Sequence, residues 1–274
     1  MVVIAEKAPL QQSKSSEYTN KTLDPRETRR LFHSDDFVNS LIQRSYDVIM
    51  REIPSTEFPR VVEIGAGAAL IKKLGWPVIT SDVEVNEFLD IVVDARRLPF
   101  GDSAVDALVL KDSLHHIPDV REFFEEADRV LRPGGRIVVF DPYWGPLARF
   151  VYRFLHREPF RPHAQEWRFE ARSPHDSNQA LGYILLRRDR QKFAKIFPNL
   201  EIREVGLHVG PSFLLGGGVH SRTPVSGRIL KSLFYWEERQ GAWMNPLRFA
   251  FLAVFEKVSS PGVYPSQSRE ASGV

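Results

Sequence analysis

Residues 60–140 carry five short apolar runs, at 60–64, 78–80, 91–93, 104–110 and 136–140, with helical or turn-forming segments between them. Runs this short and this uniformly apolar suit strands buried on both faces, and the intervening segments supply the crossovers that parallel pairing requires. A chain patterned in this way is confined to an α/β layer fold. Helices are expected at 69–74 and 120–131; the second sets Phe123, Phe124, Ala127, Val130 and Leu131 on one stripe, with Asp119 at its cap. Arg132-Pro133-Gly134-Gly135 reads as a turn into the fifth strand, because proline fixes φ and glycine accepts a positive one.

The flanks are less regular. Apolar residues recur at near-helical spacing over 25–53, with Pro54 as a stop, predicting one or two helices broken near Ser34 that cover a sheet edge or a pocket. Downstream, 147–156 has an amphipathic helical pattern, 173–182 reads as a loop and 188–196 as another helix. Residues 200–205 and 249–258 have the character of two last strands, joined by an insertion at 207–245 long enough to hold helices of its own. With a polar leader at 1–20 and a Ser/Gly/Pro-containing tail at 259–274, the expected organisation is one domain over 21–258.

Charge and composition remove several functions. Lys plus Arg number 37 against 35 Asp plus Glu, and the net charge of +2 gives no phosphate-tracking surface, so nucleic acid is not an expected partner. The absence of cysteine excludes disulfides, thiolate metal sites and cysteine nucleophiles. The longest apolar stretches, such as 249–255, fall far short of the roughly 20 residues a spanning helix needs. A cytoplasmic protein without a membrane span is expected.

The chemistry concentrates where strands end. Val61-Val62-Glu63-Ile64-Gly65-Ala66-Gly67-Ala68-Ala69 is a buried strand running into a small-residue turn and then a helix, where the backbone can approach a ligand closely. The second strand ends at Asp82, where a carboxylate can accept two ribose hydroxyl hydrogen bonds, and the third ends at Asp94, placed for an adenine amino group. Two acids after successive strands fit a nucleoside better than a lone glycine fingerprint does.

The ordered set Glu63-Ile64-Gly65-Ala66-Gly67, then Asp82, then Asp94-Ala95 with Leu98-Pro99-Phe100, resembles the first three motifs of class I S-adenosylmethionine-dependent methyltransferases, in particular the type 11 methyltransferase-domain family. The run from Val105 to His116 resembles the fourth motif, and Arg132-Pro133-Gly134-Gly135-Arg136 the turn before the fifth strand. The resemblance implies a Rossmann-like, mainly parallel seven-stranded sheet with an antiparallel final strand, and S-adenosyl-L-methionine as cofactor. It further implies that Gly65, Ala66 and Gly67 cradle the methionine part and that Glu63 orients its amino group through water. Asp82 would hold the ribose, Val83 would lie against the adenine, Asp94 and Ala95 would read its edge, and the Lys111 carbonyl would face the ammonium. Ala69 departs from the family, which has a third glycine there.

His115 and His116 follow the fourth strand, at the sheet end where a reactive methyl belongs, and His116 is the first candidate for a general base on a hydroxyl acceptor. Asp112 is a further candidate. His156, His163, His175, His208 and His220 show no compact ligand spacing, so no metal is expected. The acceptor is expected to be a small molecule, sugar or lipid-like compound, bound beneath aromatics drawn from Tyr143, Trp144, Phe150, Tyr152, Phe154, Trp167 and Phe169. Phe213-Leu214-Leu215 beside Gly216, Gly217 and Gly218 reads as a tight turn with buried flanks; a lid or shallow membrane contact is the alternative. Two other functions share parts of this pattern: a nicotinamide-dependent oxidoreductase and an inactive cofactor-binding assembly module.

Overall fold

A computed structural model describes residues 24–57, 59–156, 158–173, 175–217 and 225–258. The expected leader and tail, together with Gly218 and His220, lie outside the described residues. Seven strands form one sheet: β1 (Val61–Ile64), β2 (Ile79–Asp82), β3 (Ile91–Val92), β4 (Val105–Lys111), β5 (Leu131–Pro142), β6 (Leu200–His208) and β7 (Ala250–Lys257), in the order β3-β2-β1-β4-β5-β7-β6. The first five are mutually parallel, and β7 runs antiparallel to both β5 and β6. This is the sheet the sequence predicted, antiparallel final strand included.

Both faces are covered, and alternate residues of the central strands serve opposite layers. Val62, Ile64, Leu108, Leu110, Ile137 and Val139 face a core built with Phe123, Phe124 and Phe193. Val61, Ala107, Val109, Val138 and Phe140 face a second core built with Phe37, Ile49 and Phe234. The second layer takes in α3 (Leu70–Lys73) through Leu70 and Ile71, and the first includes α4 (Val120–Val130), whose N-cap Asp119 accepts from the backbone of Arg121 and Glu122. Among the described residues, no helix is long and apolar enough to cross a membrane.

The N-terminal cover consists of α1 (Pro25–Ser34) and α2 (Asp36–Met50). The break falls at Asp35, whose backbone is extended at φ −117° and ψ 111° and whose carboxylate accepts from the backbone of Phe37 and Val38. A residue that prefers capping to helix interiors thus ends one helix and starts the next.

The expected turn at 132–135 is instead absorbed into β5. Val105 pairs with Leu131 and Ala107 with Arg136, so five steps along β5 match two along β4 and the excess bulges. Gly134, at φ +78°, makes the bulge achievable. Past α5 (Pro146–Phe154), helix resumes earlier than the pattern indicated, with α6 (Leu181–Tyr183) running through a π-turn at Ile184–Arg188 into α7 (Arg190–Ile196). The long insertion contains α8 (Ser212–Leu215), α9 (Gly227–Glu238) and a 3-10 segment at Ala242–Leu247. Phe213 meets Phe249 with tilted rings and Gly216 abuts the Phe37 ring, so the single helical turn of α8 lays Phe213 and Leu214 on the second core and leaves Leu215 exposed.

The insertion is anchored by buried charge. Glu237 accepts from the backbone N–H and the hydroxyl of Ser212, while the Arg248 guanidinium bonds Glu238 and the Glu237 carbonyl. All three charged side chains are almost fully enclosed.

Candidate active site

Parallel strands place their carboxyl ends on one edge, and the loops after β1, β2, β3, β4 and β5 converge there. The loop after β1 is held by its neighbours: Ala66 donates to the Ser81 carbonyl at 2.9 Å, and Ser81 and Ser113 donate their hydroxyls to the carbonyls of Glu63 and Ile64. Gly65 is obligatory, since at φ +71° a Cβ would lie 2.5 Å from that of Ser113. At Gly67 a Cβ would meet nothing, which leaves open space before the loop. Ala69 itself sits in the left-handed region at φ 49° and ψ 49°, fully buried.

Asp82 braces this loop as well as offering a carboxylate. Its Oδ2 accepts from Gly67 N at 2.9 Å and its Oδ1 from Glu84 N at 3.1 Å. Asn86 donates to the Gly67 carbonyl, and Arg29 of α1 reaches the Ala68 carbonyl at 2.7 Å while stacking over Phe88. Val83 is exposed beside Asp82, as a surface for a flat ring requires. Asp94, two residues past β3, is gripped by the Arg96 side chain through both carboxylate oxygens, and Arg96 holds its carboxyl below the ordinary range.

Glu63 is the most unusual group at this edge. It is almost fully buried; its Oε1 accepts from the Tyr46 hydroxyl at 2.6 Å, and its Oε2 has no partner. Burial pushes its carboxyl up to about 7, against the opposing pull of the Tyr46 hydrogen bond and of Lys111.

After β4 the chain turns into a 3-10 helix at Leu114–His116. His115 is buried, with Nδ1 2.9 Å from Asp141 Oδ1 at the end of β5 and Nε2 3.4 Å from Glu158 Oε2. Burial works against its charged form, yet the Asp141 and Glu158 carboxylates outweigh it and raise the imidazolium to about 10. His116 behaves oppositely: burial and the neighbouring His115 lower it to about 4. Its Nδ1 lies 3.2 Å from the Asp176 carbonyl, which fixes Nδ1 as the protonated nitrogen and leaves Nε2 a lone pair. The two rings are 4.2 Å apart. Asp112 is exposed, paired with Lys111, and takes no part in this group.

Beside the pair a cleft of about 410 Å³ is lined by Pro159, Arg161, Phe169, Arg172, Asp176 and Ser177. Of the aromatics expected to roof an acceptor pocket, only Phe169 lines it. Trp144, Tyr152 and Trp167 are buried in the core, and Phe150 and Phe154 face solvent, because α5 turns that side outward. Tyr46, Arg29, Asn86, Arg96 and Glu158 escaped sequence reasoning. Asp141 carried a signal that strand-end logic could have used, since it follows a fifth strand in register with β4.

The methyltransferase-domain family model matches residues 66–139. The 27-O-demethylrifamycin SV methyltransferase of Amycolatopsis mediterranei is 46% identical over 48 residues, 18% of this chain and 18% of that protein. The demethylmenaquinone methyltransferase of Mycobacterium marinum is 27% identical over 137 residues, 42% of this chain and 59% of that protein. The chain thus spans between about a fifth and three-fifths of the length of these curated relatives. A solved S-adenosylmethionine-dependent methyltransferase from Archaeoglobus fulgidus aligns with 84% of this chain and 97% of its own, at 13% identity and a TM-score of 0.48. The residues present fit S-adenosyl-L-methionine: a buried Glu63 oxygen lacks a partner and could accept from an ammonium, and the Gly67 side of the loop is open. Over residues 66–139 the chain is similar to the methyltransferase-domain family, and S-adenosyl-L-methionine is the cofactor that this similarity supports.

Proposed function

We propose that this protein transfers a methyl group from S-adenosyl-L-methionine to the oxygen of a small-molecule, sugar or lipid-like acceptor. The observation that carries the reading is Glu63, a buried carboxylate beside the glycine loop with one oxygen committed to Tyr46 and the other unpartnered. An unpaired buried acceptor costs about 1–3 kcal/mol, and a ligand ammonium removes that cost.

When bound, the cofactor supplies an electrophilic methyl on a sulfonium. The chain's own residues do the rest. Glu63 meets the amino group, Gly65, Ala66 and Gly67 line the methionine portion, and the Lys111 carbonyl faces the same end. Asp82 keeps a lone pair on each oxygen for ribose hydroxyls beyond the bonds it makes to Gly67 and Glu84. Val83, Ala95 and Asp94 frame the adenine, with Arg96 setting the Asp94 orientation.

His116 is the base. It is neutral at physiological pH and presents Nε2, whereas His115 holds its proton between two carboxylates and positions the pair. The cleft bounded by Arg161 and Phe169 receives the acceptor. Labelled S-adenosylmethionine incubated with the protein and an extract of the source cells should yield a labelled product identifiable by mass; absence of any label transfer, together with no binding of S-adenosylhomocysteine by calorimetry, removes the reading. His116→Ala should lower turnover by about 10²–10⁴-fold while leaving S-adenosylhomocysteine affinity unchanged.

A further inference from the structure

We infer that His115, His116 and Glu158 form a binding site for a divalent transition-metal ion of the zinc or cobalt type, next to the cleft. Their ligating atoms all lie within 4.8 Å of one another. Ligands at about 2.0–2.1 Å from a tetrahedral ion stand about 3.3 Å apart. His115 Nε2 and His116 Nε2 are 3.4 and 3.9 Å from Glu158 Oε2, and with every ligand pair inside 4.8 Å, closing on an ion takes side-chain shifts of at most about 1.5 Å.

Ligand orientation is already set. Each histidine has its Nδ1 on an acceptor, Asp141 Oδ1 at 2.9 Å for His115 and the Asp176 carbonyl at 3.2 Å for His116. Both rings are therefore pinned with Nε2 turned toward Glu158. This is the arrangement that supports metal-bound histidines elsewhere: the outer nitrogen donates to a carboxylate or a carbonyl, and the inner one ligates, which for His115 means that the ion displaces the Nε2 proton to solvent. Glu158 is braced in turn by Ser177 Oγ at 3.0 Å and by the Gln179 amide, both donating to Oε2. Two histidines and one carboxylate leave at least one coordination position for water or an acceptor oxygen. Asp176, which accepts from His116, and Ser177, which donates to Glu158, belong to the wall of the 410 Å³ cleft, so the site adjoins it.

An ion here would act as a Lewis acid: an acceptor hydroxyl displaces bound water, its O–H bond breaks, the proton leaves to solvent and the oxygen stays on the ion. His116 then serves as a ligand, and ionisation on the metal replaces proton removal by its Nε2. This role rests on the methyl-transfer reading; the binding itself does not.

The test uses the full chain, stripped with a chelator, dialysed, and studied without S-adenosylmethionine. Zn²⁺ is titrated by calorimetry and Co²⁺ by visible absorption, with X-ray absorption at the cobalt edge on the unmutated protein. One ion per chain with imidazole nitrogens in its coordination shell is expected. His116→Ala and Glu158→Gln should each weaken binding at least about tenfold, and Asp141→Asn, which loosens a ligand without removing one, by about 10–100-fold. His163→Ala, at an exposed position outside the cluster, should change nothing. Failure of the unmutated protein to hold Zn²⁺ or Co²⁺, a cobalt shell without imidazole, or loss of binding in His163→Ala with retention in His116→Ala would each overturn the site. Zn²⁺ binding without S-adenosylhomocysteine binding would uphold the metal site and sink the methyl-transfer reading; the converse would do the opposite.

Discussion

Tyr46 and Glu63, 17 residues apart in sequence, meet across the interface between α2 and the sheet, where the Tyr46 hydroxyl donates to Oε1 at 2.6 Å. The N-terminal cover therefore does more than shield the sheet: it takes one of the two oxygens of the carboxylate assigned to the cofactor's amino group.

Since burial raises the Glu63 carboxyl to about 7, the group is largely neutral below that pH and charged above it. A cationic amino group favours the ionised form, so cofactor affinity should rise with pH, by about tenfold between about pH 6 and about pH 8. The sign for stability is the reverse, because a carboxyl raised in the folded state favours folding less as pH climbs through 7. Calorimetric titration of S-adenosylhomocysteine across this range checks the first statement. Tyr46→Phe removes a bond that lowers the Glu63 value and should move the midpoint upward; a flat profile in the parent protein would contradict the assignment.

Asp82→Ala should weaken S-adenosylhomocysteine binding by about 1.5–3 kcal/mol, the range for hydrogen bonds to charged groups. The same change releases Gly67 N, so amide exchange at that residue should become faster in parallel. Unchanged affinity in a folded variant would remove Asp82 from the site.

Ala69 occupies a left-handed conformation that costs a non-glycine residue about 1–2 kcal/mol, whereas glycine adopts it freely. Against this stands the extra unfolded-state entropy of glycine, about 0.4–1 kcal/mol. Ala69→Gly should accordingly stabilise the fold by about 0.5–1 kcal/mol in urea unfolding. A clear loss of stability would mean that the buried methyl packs better than its backbone strain costs.

Arg248 holds the insertion from within by bonding the Glu238 carboxylate and the Glu237 carbonyl, while Glu238 also meets Arg44 and His208. Arg248→Ala should cost about 1.5–3 kcal/mol of unfolding free energy, the range for hydrogen bonds to charged groups. A loss below about 0.5 kcal/mol, ordinary for a surface substitution, would show that the network contributes little.

The sheet was legible because strands buried on both faces leave uninterrupted apolar runs, as in Val61-Val62 and Ala107–Leu110, and because Asp82 ends and Asp94 follows strands that terminate on one edge. The β5 bulge was not, since Pro133-Gly134-Gly135 carries the same local signal whether it turns the chain or buckles a strand. Among site residues, His115 and His116 were visible from their place after β4. Glu158 was not, because it comes from an irregular segment whose position depends on tertiary packing alone. The aromatic roof failed for a related reason: helical spacing identifies which side chains share a face of α5, but not that the face carrying Phe150 and Phe154 looks outward.

The break at Asp35 has a mechanical meaning. If α1 and α2 were one rod, lifting the part that carries Arg29 off the Ala68 carbonyl would strain the part that carries Tyr46. As two helices joined at a single extended residue, each takes its own direction, and Arg29 reaches Ala68 while Tyr46 reaches Glu63. Support of the loop backbone and pairing of the neighbouring carboxylate are thereby divided between two rods.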